Sequence, residues 1–517
     1  MIAKIYAFTL LGLEALPVEV EAGVYNGLPD LTVVGLPDTV LRESRERVRS
    51  AIVSSGYQWP SRRMLVNLAP AHLRKEGSGL DLAVAVSLLK ASGQLPGLDT
   101  GKLVFAGELS LDGTLRGSRG ILPAALSMEL WPEKILVVPA VNQEEAGQGS
   151  NRTLALSSLS ELRNSAGWRR RLQEVDQRPF QSPKTMAGPA TAGLPPPLSI
   201  EPISQWDLSM VIGQNKARRS LELAAAGSHN LLLLGPPGSG KSLLAKCLQG
   251  ILPPLGGEEM LEVNRIYSAA GLLTPDMPWI SRRPFRNPHA SVTRAGLLGG
   301  GNPFRPGETS LAHQGVLFID ELPEMNRGCL ESLRQPLEEG TLTISRSWGS
   351  ITLPAKIQLV ASANLCPCGY FGDRQKKCRC RDDEIRRYQN RFSGPLLDRM
   401  DIIVNVPRLE AASLHSGSRF QEPSAAVAAR VAAARQKRQT GVDRGEYSLE
   451  KLQQQLTKAG RVWALGAYED YQLTARGYYR LLLLARTIAD LAGEEGINAA
   501  FLAEALEYRR GPEGFSC

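Results

Sequence analysis

No run of uncharged apolar residues in this 517-residue sequence is long enough to cross a membrane. That sets aside the integral membrane classes. Cysteine is scarce and odd in number: there are seven, and four crowd into one short loop. No secreted disulfide framework is indicated, and a reducing compartment is expected. No repeat of solenoid period is present. With 43% hydrophobic and 22% charged residues the composition is that of a folded globular protein. The length exceeds one core, so about two to four domains are expected. The opening MIAKIYAFTLLGLEAL sets Lys4 before an apolar stretch, as a signal peptide does. It runs on into PVEVEAGV without a small-residue cleavage site, so it reads as a buried first strand of a cytoplasmic protein. The net charge of +8 suits a polyanion partner without requiring one.

Three regions and a linker follow one another. Residues 1–175 alternate apolar strands (VEVEAGV, LPDLTVVGL, MLVNLAP, KILVVPA) with helical patterns, one carrying Arg42, Arg45 and Arg49 opposite Val48 and Ile52. This is an α/β domain. Residues 176–204 are rich in Pro, Ala and Gly and read as a linker. Residues 205–408 hold the nucleotide motifs, and residues 409–517 are mostly helical, with Ser424, Thr474 and Asn498 as candidate helix caps.

The strongest signal is the run Gly235, Pro236, Pro237, Gly238, Ser239, Gly240, Lys241, Ser242. It follows the apolar strand Leu231 to Leu234 and precedes a helix. Glycines let backbone N–H groups turn inward around phosphates, and the helix N-terminus adds partial positive charge. In this pattern Lys241 reaches the β and γ phosphates of ATP, and Ser242 ligates Mg2+. About eighty residues on, an apolar strand ends in Asp320 and Glu321. Asp320 is placed for the magnesium shell and Glu321 to polarise the attacking water. A further strand leads to Asn364, a polar amide able to orient that water. Arg399 is a candidate arginine finger entering a neighbouring subunit's site, with Arg391 as second candidate; Arg476 is placed to close over the phosphates.

The phrases FRNPHASVTRAGLLGGGNPFRPGETSLAHQGVLFIDELPE, ESLRQPLEEGTLTISR, NLCPCGYFGD and SGPLLDRMDI resemble the magnesium-chelatase-like AAA+ ATPases of the YifB/ComM family. So do the N-terminal phrases VVGLPDTVLRESRERVRSAI and VNLAPAHLRKEGSGLDLAVAV. The resemblance covers nearly the whole chain. It implies an α/β fold: an AAA+ P-loop core with a parallel sheet and helical lid, preceded by an α/β domain like that of Lon protease and a ribosomal protein. It implies a ring, commonly a hexamer, that hydrolyses ATP. It further implies a helicase driving branch migration in recombination and natural transformation, alongside other recombination proteins. Two departures stand out. Relatives often carry two histidines where this chain has His289-Ala290. In the stretch Lys75 to Asp81, Gly79 falls where Lon has its nucleophile and Ser78 comes one place early, which argues against proteolysis. A chelatase-type motor that remodels a protein is the other reading; such subunits generally lack the N-terminal domain.

Two segments could project into a ring pore. One, residues 282–305, carries Arg282, Arg283, Arg286, Arg294 and Arg305 with Phe285 and Phe304. The other, residues 341–356, reads as a hairpin with Arg346 and Trp348 near its tip. Arginine pairs with DNA phosphate and tryptophan stacks on an unpaired base; subunit contact is the alternative. Cys366, Cys368, Cys378 and Cys380 form two C-x-C pairs, sufficient for a tetrahedral Zn2+ site. Buried free thiols or a redox switch are the other readings. Cys247 and Cys329 fall on apolar helical positions and are expected in the core.

Overall fold

The computed structural model describes residues 2–35, 38–71, 73, 75, 78–163, 165–181, 205–346, 349–373, 375–392, 394–409, 421–440 and 447–511. Two sheets organise the chain. The first is built from β1 (Ile2–Leu11), β2 (Glu14–Tyr25), β3 (Asp30–Val34), β4 (Arg63–Ala69), β5 (Leu103–Phe105), β8 (Ile135–Pro139) and β9 (Thr153–Leu156). A small ribbon of β6 (Glu108–Leu109) and β7 (Leu115–Arg116) stands apart. The order is β3-β4-β2-β1-β5-β8-β9, with β1–β2 and β2–β4 antiparallel and the remaining pairs parallel. The apolar opening is therefore not one strand. It turns back at Gly12, where φ is +66°, because the chain needs a left-handed residue to reverse there. Helix Asp81–Ala91 packs its nearly all-apolar length on this sheet. Helix Asp38–Ser54 buries Val48 and Ile52 on the expected face.

The second sheet is wholly parallel, in the order β11-β14-β17-β10-β18. Its members are β10 (Leu231–Leu234), β11 (Phe285–Arg286), β14 (Val316–Ile319), β17 (Gln358–Ala363) and β18 (Ile402–Asn405). The runs LLLL and VLFI are buried at every position, as strands covered on both faces must be. Two ribbons project from this body: β12 (Gly299–Gly300) with β13 (Arg305–Pro306), and β15 (Thr341–Arg346) with β16 (Gly349–Pro354).

Helices of residues 424–509 pack on one side of the parallel sheet. Helix Ala475–Ala492 is bounded as its sequence dictates. Thr474 Oγ1 accepts from Gly477 N, Gly493 ends it at φ +84°, and Tyr478, Leu481, Leu482, Ala485 and Ile488 form the buried stripe. Asn498 caps the last helix through Phe501 N. Ser424 is not a cap. It is the first residue of its helix, and its hydroxyl accepts from Leu208 N at 2.8 Å, joining the helix to the chain before the parallel sheet. Most of the expected linker, residues 182–204, and Cys517 lie outside the described residues. No helix among the described residues is long and apolar enough to cross a membrane.

The N-terminal sheet unit is fastened to the inserts of the second. Leu13, at the β1–β2 turn, shares a core with Phe304, Ile351 and Leu353, and its carbonyl accepts from Arg265 Nε at 3.0 Å. Arg119 donates to the Phe304 carbonyl at 3.1 Å. Ser268 Oγ donates to the buried Glu145 carboxylate at 2.6 Å, while Gly120 N reaches the Ser268 carbonyl.

A candidate nucleotide site at the tips of the parallel sheet

The chain leaves β10 and turns sharply at Gly235. A Cβ there would lie 2.2 Å from the Val406 carbonyl oxygen, so only glycine fits. The loop then opens. The places a Cβ would occupy on Gly238 and Gly240 meet nothing within 4 Å, and both backbones are left-handed. Ser239 Oγ is buried and has no hydrogen-bond partner among the described residues. A glycine loop with open space on one side and an unsatisfied hydroxyl, at the start of helix Lys241–Cys247, is chemistry suited to a phosphate chain. A magnesium nucleotide fits these residues.

Lys241 Nζ is buried and spends its donors on the carbonyls of Gly235 (2.8 Å) and Pro236 (2.9 Å) and on Asn364 Oδ1 (3.2 Å). Burial pushes its ammonium down to about 8, with the charges of Asp320 and Glu321 pulling the other way. Ser242 Oγ donates to Asp320 Oδ2 at 2.9 Å. The other Asp320 oxygen accepts from Ser362 Oγ, which also accepts from Glu321 N at 3.2 Å. Ser362 was not singled out in the sequence; as a buried hydroxyl on β17 next to β14 it ties the two strand tips together. Glu321 is exposed and left-handed at φ +55°. Parallel register thus brings Lys241, Ser242, Asp320, Glu321 and Asn364 to one end of the sheet.

The arginines lie elsewhere. Arg391 stands near the Asp-Glu tip in its own protomer, 3.4 Å from Glu324, whose N–H bonds the Glu321 carbonyl. Arg399 is at the opposite end of the sheet: its carbonyl accepts from Asn230 Nδ2 at 2.9 Å, and Asn230 precedes β10. Four strand residues, about 13 Å, separate that end from the phosphate loop. Arg476 shares the carboxylate of Glu338 with Arg399.

Of the basic insert, much is structural. Arg283 bonds Glu259 and the carbonyls of Pro253 and Gln314. Arg286 is engaged by both oxygens of Glu308, at 2.6 and 2.8 Å, a pair that a DNA phosphate would have to displace. Phe285 packs on Phe318, and Phe304 is buried. Three arginines remain exposed: Arg346, whose Nη2 lies 2.6 Å from where a Gly300 Cβ would be, Arg305, the cross-strand partner of Gly300, and Arg294, at the start of the short helix Arg294–Leu298 whose Ala295 also lies against Gly300. Trp348 lies outside the described residues. Cys247 and Cys329 are buried.

A family model described as magnesium chelatase, subunit ChlI, matches residues 207–414. A second, subunit ChlI of Mg-chelatase, matches residues 20–142, and a third, the ChlI C-terminal model, residues 421–509. The YifB protein of Escherichia coli K12 is 40% identical, over 96% of this chain and 95% of its own. The competence protein ComM of Haemophilus influenzae is 38% identical over 98% and 97%. The chain belongs to the YifB/ComM family of magnesium-chelatase-like AAA+ proteins. The Rv2897c protein of Mycobacterium tuberculosis is similar at 40% identity, over 98% of this chain and 99% of its own. Membership in this AAA+ family implies ATPase activity with ATP and Mg2+, and AAA+ proteins commonly oligomerise. The four clustered thiols of this YifB/ComM chain are compatible with a structural metal.

Proposed function

We propose that this chain is an ATP-driven, ring-forming DNA motor, a helicase or branch-migration translocase serving recombination and natural transformation. The observation that carries the reading is the meeting of exposed Arg305 and Arg346 at Gly300, on two ribbons rooted in the nucleotide-bearing sheet, with exposed Arg294 on the adjoining helix. Such a patch pairs with backbone phosphate and reads no sequence, as a translocase requires. A competence protein among full-length relatives supports the same reading.

In this proposal residues 1–175 form a domain bracing the ribbons, residues 205–408 the motor, and residues 409–517 a helical lid. Lys241 exchanges its carbonyl partners for phosphate oxygens. Ser242 and Asp320 hold Mg2+, which when bound neutralises phosphate charge. Glu321 polarises the attacking water and Asn364 orients it. Arg399 and Arg476 serve the neighbouring protomer of a ring, commonly a hexamer, and their joint tether at the far sheet end supports action in trans. The cysteine loop carries zinc.

The test is ATP turnover with and without branched DNA, paired with strand displacement. Stimulated turnover and displacement are expected. DNA-independent turnover without displacement would favour a chelatase-type motor that remodels a protein.

A further inference from the structure

The Sγ atoms of Cys366, Cys368, Cys378 and Cys380 all lie within 4.8 Å of one another. The separations are 3.4 Å for Cys366–Cys368, 3.7 Å for Cys366–Cys378 and 3.6 Å for Cys368–Cys378. These are far longer than a disulfide, at about 2.05 Å. They match the edge of a tetrahedron with metal–sulfur bonds of about 2.3 Å, which is about 3.8 Å. Backbone N–H groups of Phe371 and Cys380 point at Cys366 Sγ (3.3 Å) and Cys378 Sγ (3.4 Å). Such donors stabilise thiolates and orient metal ligands. Four soft ligands at tetrahedral spacing select zinc over oxygen-loving cations.

What the loop touches gives the site a consequence. Cys366 follows Asn364 by two residues, and Asn364 accepts from Lys241. Gly369, left-handed at φ +84°, sits against the phosphate loop: a Cβ there would lie 2.5 Å from Pro237 Cδ. A second contact runs through Tyr370. Its ring meets both Lys376, 4.3 Å from the centroid, and Arg408, 5.9 Å away, and Arg408 donates to the Pro237 carbonyl at 3.3 Å. Residues 375–381 form no helix or strand, so little besides the cysteines fixes this segment.

We propose that the four cysteines bind one zinc ion, and that the metal-held loop is a wall of the nucleotide site, so that metal occupancy sets nucleotide affinity. The metal fixes the turn from Cys366 to Gly369, and this turn holds Pro237 and Asn364 in place for the phosphates. The coupling rests on the nucleotide reading of the phosphate loop; the metal site does not.

The experiment uses the full chain. Zinc is counted by mass spectrometry, and mant-ADP affinity is measured before chelation, after it, and after zinc is restored. One zinc per chain is expected, with Kd rising roughly tenfold on removal and recovering on return. Gly369→Ala should keep its zinc and still bind mant-ADP more weakly, which separates contact from folding. Wild-type protein that holds no zinc, even when reduced and supplied with it, would overturn the metal site. Bound iron in its place would overturn the zinc assignment. An unchanged Kd after zinc removal would overturn the coupling alone. Zinc-loaded protein that binds no mant-ADP would overturn the nucleotide reading and the coupling, with the metal site left standing.

Discussion

Arg399 and Arg476 share one carboxylate, that of Glu338, though they stand far apart in the sequence. The two differ in access: the Arg399 side chain is 8% exposed, whereas that of Arg476 is 41% exposed. Glu338 gains from both charges and is held below the usual carboxylate range, first by the Arg476 hydrogen bond. Arg399 stands at the sheet end away from the phosphate loop, with Arg476 tethered beside it through Glu338. Arg399→Ala should therefore lower ATP turnover far more than ATP binding, toward the loss of about 10³–10⁵ seen when arginine fingers are absent. Arg476→Ala should act likewise. Mixing either variant with Lys241→Ala protomers should restore part of the turnover, since each ring would then contain competent pairs. Unchanged turnover in Arg399→Ala would remove it from the site.

Lys241 makes nucleotide binding depend on pH in a defined direction. Burial holds its ammonium down to about 8 in the free protein. Phosphate oxygens favour the charged form, so binding raises this value. At about pH 7 the proton is already present and binding takes up little. At about pH 9 the amine is mostly neutral and binding must take up close to one proton, with weaker apparent affinity. Calorimetry in buffers of different ionisation enthalpy counts that proton. Equal uptake at both pH values would show that Lys241 does not face the phosphates.

The polar knot beneath Arg399 should matter for stability. Asp401 is buried, accepts from Asn230 N at 2.9 Å and from Arg480, and faces His229. Burial works against its charge, but the His229 hydrogen bond and the Arg480 charge prevail and hold it at about 2, below its ordinary 3.8. A depressed carboxylate contributes stability in full above about pH 4 and loses it as pH falls toward about 2. Arg480→Met removes the strongest cation and leaves a buried carboxylate half-paired, at a cost of about 3–5 kcal/mol. Denaturant melts should show that loss at neutral pH, and Asp401→Asn should flatten the acid limb. A melt of Arg480→Met matching wild type would mean that His229 suffices.

The nucleotide loop was legible because its signal is local: Gly235 to Ser242 needs only the strand before it and the helix after it. Thr474 and Asn498 could be read as caps for the same reason. What the sequence hides depends on distant partners. Arg286 looks like Arg294 until Glu308 is seen to claim it. Ser362 looks like any strand serine until parallel register sets it beside Asp320. Arg399 looks adjacent to the motor, yet strand direction carries it to the far end. The apolar opening reads as one strand because alternation continues through the Gly12 turn, and only the Leu13–Ile351 packing explains why that turn is there.

The proposed DNA contact can be tested through salt. Arg294, Arg305 and Arg346 are exposed around Gly300, whereas Arg283 and Arg286 are held by carboxylates. A phosphate contact releases counterions, so log affinity falls with log salt by roughly 0.7–0.9 per contact. Each alanine substitution among the exposed three should reduce the slope by about that amount, and should weaken binding to all sequences alike. Arg286→Ala should behave differently. It strips Glu308 of its partner, so it should lower stability and change the slope little. Fluorescence anisotropy on labelled single strands across a salt series reads the slopes, and melts read the stability. If Arg286→Ala changed the slope as much as Arg346→Ala does, the Glu308 pair would be one that DNA displaces. If none of the three exposed arginines changed it, the Gly300 patch would be a contact between subunits.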